Sequence, residues 1–296
     1  MKDIKIEELL RNSFLEYIKY IQKNKNKFLA KDYDQEDLHQ IRVTIRKIRA
    51  LSSLLSKYFQ YSHAKECKDA FALIAEYTNE ARDLDVYLSK IEQYKEFLPK
   101  ELKNNLNKVV NFLLEHKDIE YKRLHNFFQS DNCVNTLSKY KAHIDSNSLL
   151  KSNDKLANEI AKKKIKTTYF KIIKNGSKLN AQSENNKFHK VRIEFKKIRY
   201  LIEFFKPIYE KNRYRSIISK LKKIQDLLGD FNDYEVQQKK LHYFINILDL
   251  TEEETHTLNL LIQHFETEKQ KIKTKFHEKF GFFCKTEFRK ELLTIV

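Results

Sequence analysis

Two segments of the chain carry the same pattern of basic residues. LHQIRVTIRKIRALSSLL begins at Leu38 and FHKVRIEFKKIRYLIEFF at Phe188, an offset of 150 residues. His39/His189, Arg42/Arg192, Lys47/Lys197, Ile48/Ile198, Arg49/Arg199 and Leu51/Leu201 are identical pairs, and Arg46/Lys196 preserves charge. Wound as a helix at about 100° per residue, His39, Arg42, Arg46 and Arg49 share an arc of about 80°. Leu38, Ile41, Ile45 and Ile48 fill the neighbouring arc. The second copy repeats the arrangement with His189, Arg192, Lys196 and Arg199. Like charges at i,i+3 and i,i+4 repel, so such a stripe calls for an anionic partner. Arginine suits phosphate because its planar fork gives two charge-assisted hydrogen bonds to neighbouring oxygens. Lysine adds a mobile point charge. Lys47 and Lys197 are expected to assist, with Lys222 and Lys223, one helix later, as weaker candidates. A solvated basic face is the competing reading of one such helix, and two copies in register weigh against it. Each histidine has two readings that stay open, a phosphate donor when protonated or a hydrogen-bonded structural residue.

Other chemistry is harder to write from this sequence. Two acidic segments, Arg82-Asp83-Leu84-Asp85 and the set Asp226, Asp230 and Asp233, are able in principle to hold Mg²⁺ beside phosphate. They are expected instead to pair with nearby Arg and Lys and to hold those side chains extended. No HxxxH or HExxH occurs, so no metal site and no cofactor are expected. With Gly only at 176, 229 and 281, no Walker loop, dinucleotide-binding turn or GxSxG elbow can be written. Catalysis is therefore not expected.

The elements that must position the basic stripes are helices. Only 3 Gly and 2 Pro occur in 296 residues, and apolar residues recur at helical spacing almost throughout. The pattern predicts helices over about 4–30, 36–60, 63–98, 100–146, 153–176, 186–211, 213–248 and 251–293, with Pro99 and Pro207 where helices end or bend. RDLDV at 82–86 and NDYEV at 232–236 stand at the same offset of 150. A shared register over two segments predicts duplication of a helical unit, one copy in 1–150 and the other in 151–296. The net charge of +17 favours a polyanion: nucleic acid, an anionic surface or polyphosphate. The halves contribute +4 and +13. Cys67, Cys133 and Cys284 form no CxxC pair and read as thiols of a reducing cytosol. The N-terminus lacks an apolar leader and no stretch is apolar enough to span a membrane, so a soluble, cytoplasmic protein is expected.

These residues resemble the CHAD family, the conserved histidine α-helical domain. Its strings look like LHxLRVxxRRLRxLL and LHxLRxxxKxLRYxxEFF, which HQIRVTIRKIRALSSLL and FHKVRIEFKKIRYLIEFF match, Tyr200 and Glu203 included. The family's LGxxRDLDV and LGDxNDxxV are similar to NEARDLDVYL and LLGDFNDYEV, with Asn79 where Gly is usual. The resemblance covers nearly the whole chain as a single domain. It implies an all-α fold of two four-helix bundles about a pseudo-two-fold axis, with the basic helices lining a groove or pore. It also implies binding of inorganic polyphosphate, in some relatives at polyphosphate granules. No ExExK strand motif of the CYTH triphosphate enzymes is present, so catalysis does not carry over. The alternative is a nucleic-acid-binding helical module, for which 16 Tyr and 21 Phe offer stacking surfaces. Most of these aromatics fall at core-like spacing.

Overall fold

A computed structural model describes residues 4–30, 34–152 and 154–295. Among the described residues there are eleven α-helices and no strand beyond two isolated bridges. In chain order they are α1 (Ile6–Ala30), α2 (Gln35–Leu54), α3 (His63–Tyr77), α4 (Asn79–Glu96), α5 (Asn107–Gln129), α6 (Asp131–Asp145), α7 (Ala157–Gly176), α8 (Asn185–Phe204), α9 (Lys211–Ile247), α10 (Glu252–Cys284) and α11 (Thr286–Leu293). Single 3₁₀ turns follow α2 at Ser56–Tyr58 and α8 at Lys206–Ile208. Both basic helices and both turns are thus displaced by 150 residues at each end.

By internal contacts the chain forms two compact units. One comprises residues 1–86 and 114–161, the other 87–113 and 162–296. In the first, α2 packs on α1 and α3, and α6 packs on α1. Leu38, Ile41, Ile45, Ile48 and Leu51 of α2 are fully buried with Leu10, Phe14 and Ile18 of α1. Each such side chain contributes about 1.5–3 kcal/mol of hydrophobic stabilisation. In the second unit, α9 packs on α8 and α10. Phe188, Val191, Phe195, Ile198 and Leu201 of α8 are buried at the positions that correspond to the α2 core residues. The apolar stripe is thereby fixed inward in each basic helix, which leaves the cationic stripe at the helix edge.

Caps set several boundaries. Asp34 Oδ1 accepts from Glu36 N–H at 2.8 Å, satisfying a free amide at the start of α2. Thr251 and Glu254 form a reciprocal capping box at α10. Three predicted helices are interrupted: 63–98 at Thr78, 100–146 at Ser130 and 251–293 at Lys285. None of these positions has a Gly or Pro, so the interruptions come from packing. At Lys285 the chain turns extended (φ −66°, ψ 142°) and α11 folds back. That turn buries Phe288 against Phe282 and Phe283, while Tyr169 Oη donates to the Phe283 carbonyl at 2.7 Å. Gly176 closes α7 where a Cβ would lie 2.2 Å from the Phe280 ring. Pro99 and Pro207 stand just beyond the ends of α4 and α8.

Candidate functional site

On α2, the four stripe residues have different surroundings. Arg42 Nη1 donates to Ala75 O (3.2 Å), Thr78 Oγ1 (2.7 Å) and Asn79 Oδ1 (2.9 Å). The interruption between α3 and α4 supplies all three acceptors, and Arg42 closes it. Burial, helped by the charge of Arg46, brings the Arg42 guanidinium down to about 10, with Asp83 opposing. His39 is half-buried. Its pKa is held below the usual imidazole value, first by burial and then by Arg82, with Arg46 and Arg42 adding to the effect and Glu36 opposing it. Arg46 and Arg49 are half-buried too, yet neither forms an ion pair with a carboxylate among the described residues. Their Nε atoms, like that of Arg42, are shielded from solvent and have no acceptor. Lys47 lies half-buried about 80° around the helix from His39, away from the arginines.

On α8, His189 is exposed and its Nδ1 lies 3.0 Å from Asn232 Oδ1. Arg192, Lys196 and Arg199 continue along the same edge, half-buried. Arg199 shares its charge with Glu203 one turn on, at 3.3 Å, a partner that Ser53 cannot provide at the matching place on α2. Lys197 points elsewhere. It joins Lys171 on Glu194, each at 3.0 Å, on the face turned to α7. Lys222 and Lys223 are both exposed on α9. The α9 line that meets α8 is marked by Gln225, bonded to Phe195 O at 2.6 Å, and by Asn232. Lys222 is about 60–80° from that line and Lys223 about 160–180°, so only Lys222 borders the stripe.

Each stripe histidine is influenced from the same position of another helix: His189 touches Asn232, and His39 feels the charge of Arg82. Arg82 joins the basic edge of α2 and was not among the residues singled out from the sequence. The alignment of RDLDV with NDYEV was the signal that placed it. Of the acidic residues in the two segments, Asp85 and Asp233 are paired. Asp85 is fully buried, accepts from Tyr121 Oη at 2.6 Å and pairs with Lys117 at 3.1 Å. Asp233 pairs with Lys90 at 2.8 Å. Beside His189 a hollow of about 390 Å³ is lined by Asn186, Lys190, Phe231, Asn232 and Lys239 among others. None of the described helices is long and apolar enough to cross a membrane.

The chemistry on offer is electrostatic: cationic forks and ammonium groups along helix edges, about 15 Å from the first to the last residue of each stripe at 1.5 Å per residue. The comparisons with known proteins agree with the all-helical build. Over 95% of its length the chain superposes on the crystal structure of the CHAD domain from the plant Ricinus communis. That match covers 92% of the plant domain, with a TM-score of 0.80 and 17% identity. It also superposes on PptA from Streptomyces chartreusis (TM-score 0.75, 10% identity), covering 94% of this chain and all of that one. No curated protein matches in sequence. The family model of the CHAD domain matches residues 13–242, and the chain belongs to the CHAD family.

Proposed function

We propose that this protein binds inorganic polyphosphate without turning it over, through the basic edges of α2 and α8. Arg46 and Arg49 carry the reading. Two half-buried guanidinium groups three residues apart, without a carboxylate between them, are unfavourable in isolation and favourable against a polyanion. Arg82 adds to this edge in the first unit, and Arg192, Lys196, Arg199 and Lys222 form the basic edge of the second. Arg42 contributes charge from a fixed place, since its Nη1 serves the α3/α4 junction. His39 and His189 strengthen the grip when protonated, whereas Lys47, Lys197 and Lys223 point away from the stripes and stay outside it. Membership of the CHAD family and its implied ligand support this choice over a nucleic-acid-binding module.

Each phosphoryl contact is worth about 1.5–3 kcal/mol net of exchange with water. A long chain sums many of them, so it should bind far more tightly than tripolyphosphate. Charge reversal tests the reading. Arg46→Glu/Lys196→Glu, still helical by circular dichroism, should lose at least tenfold in affinity for long-chain polyphosphate. It should also show a shallower dependence of log K on log salt. A folded double variant that binds as the wild type does would overturn the assignment of these edges.

A further inference from the structure

Apart from the basic helices, two histidines eighty residues apart in sequence come together in the first unit. His63 opens α3 and His143 lies in the last turn of α6. Their ring centres are 5.2 Å apart and their planes 41° from parallel. Each ring has its Nδ1 engaged by an oxygen: His63 with Glu66 Oε2 at 3.1 Å, His143 with Ser148 Oγ at 2.8 Å. A carboxylate only accepts, so the proton of neutral His63 sits on Nδ1. Ser148 Oγ also lies 3.0 Å from Ser146 Oγ and 3.3 Å from the His143 carbonyl, which fixes it beside the His143 ring. Neutral His63 therefore keeps Nε2 as a bare nitrogen donor, and in both rings Nε2 is the nitrogen that the anchoring oxygen does not occupy. An imidazole whose Nδ1–H is anchored on a carboxylate or hydroxyl, with Nε2 left over, is the orientation that outer-shell partners impose on metal-ligating histidines.

We infer that His63 and His143 form a two-histidine site for a borderline transition-metal ion, Zn²⁺ or Cu²⁺, bound through the two Nε2 atoms. With a metal–nitrogen distance of about 2.0 Å and roughly 1.2 Å from Nε2 to ring centre, a tetrahedral angle puts two such centres about 5.2 Å apart. The observed separation is the same. Among the described residues no three His, Cys, Asp or Glu are grouped to hold a metal. The protein therefore supplies two ligands, water or an anion completes the shell, and the affinity is that of an open site. Glu66 favours a cation here and Lys139 opposes it, both acting on His143. A bound ion would tie the first turn of α3 to the last turn of α6, beside the Phe59–Leu150 bridge that already joins these regions.

The test is calorimetric titration of untagged protein with ZnCl₂ or CuCl₂ at neutral pH, run beside His63→Gln and His143→Gln variants. Long-range ¹H–¹⁵N spectra of the histidine side chains in the wild type accompany it. One ion should bind with micromolar affinity, weakened at least tenfold by either substitution, and the Nε2 resonances of His63 and His143 should both move. Equal binding by wild type and the double variant would overturn the inference. So would the absence of submillimolar binding, or Nε2 resonances that stay in place when Zn²⁺ is added, a readout that does not depend on any variant folding.

Discussion

Replacing Arg42 by alanine should cost about 2–3 kcal/mol, whereas Arg46→Ala should cost less than about 1 kcal/mol. The two residues are neighbours on one stripe, and the structure separates them. Arg42 Nη1 donates to three oxygens at the α3/α4 junction, of which Thr78 is fully buried. Nη1 carries two protons, so the three acceptors share the equivalent of two full hydrogen bonds, and at about 1.5 kcal/mol net for each charged donor they contribute about 3 kcal/mol. Relief of the repulsion from Arg46 offsets part of this, which leaves about 2–3 kcal/mol. Arg46→Ala removes a like charge one turn away and breaks no ion pair. Urea unfolding followed by circular dichroism measures the difference, and amide exchange across residues 75–82 localises it. The stripe's function predicts the reverse order for binding: Arg46→Ala should weaken polyphosphate more than Arg42→Ala does among folded proteins. Equal stability of the two variants, with unchanged exchange at the junction, would refute the reasoning.

Gly176→Ala should destabilise the second unit by about 1–3 kcal/mol, because the added methyl meets the buried Phe280 ring, while Gly281→Ala, which meets nothing within 4 Å, should stabilise α10 by about 0.5–1 kcal/mol. Thermal melting of both variants checks the pair. His39 gives a pH dependence. Its folded pKa lies below the unfolded value, so the unfolded chain takes up the proton first, and this residue's part of the stability falls as pH drops through the ordinary imidazole range. His39→Gln should flatten stability against pH over that interval. A bound polyanion offsets the repulsion from Arg82, Arg46 and Arg42, so the His39 resonance should titrate at higher pH with polyphosphate present, and affinity should rise on acidification.

Much of this architecture can be read from residue spacing, because helical periodicity and core position are the same constraint. Leu38, Ile41, Ile45 and Ile48 are buried where a period of 3.6 puts them, and the basic residues follow along the edge. The ends of α2 and α8 show why boundaries were harder. The periodic pattern runs on through the 3₁₀ turns that follow them: Lys57 and Tyr58 do not disturb it after α2, and after α8 only Pro207 marks the end. No Gly or Pro stands at Thr78, Ser130 or Lys285, and at Thr78 and Lys285 the partners that hold the break are residues such as Arg42 and Phe288. Those partners also explain what the stripe did not reveal. Charge pattern alone cannot tell a guanidinium held by Ala75, Thr78 and Asn79 from one left beside water, nor see that Lys197 turns to Glu194. His63 and His143 had no signature at all, because their meeting depends on how α3 and α6 pack.

The most direct test of the central claim is competition at matched phosphate: wild-type protein loaded with labelled long-chain polyphosphate, challenged with duplex DNA, RNA and tripolyphosphate over a range of salt. Binding through the α2 and α8 edges predicts that unlabelled long-chain polyphosphate displaces the probe and that tripolyphosphate, DNA and RNA do so only at much higher concentration. Affinity should also fall steeply as salt rises. Displacement by DNA or RNA as effective as by polyphosphate itself would contradict the claim and make the basic edges a nucleic-acid surface.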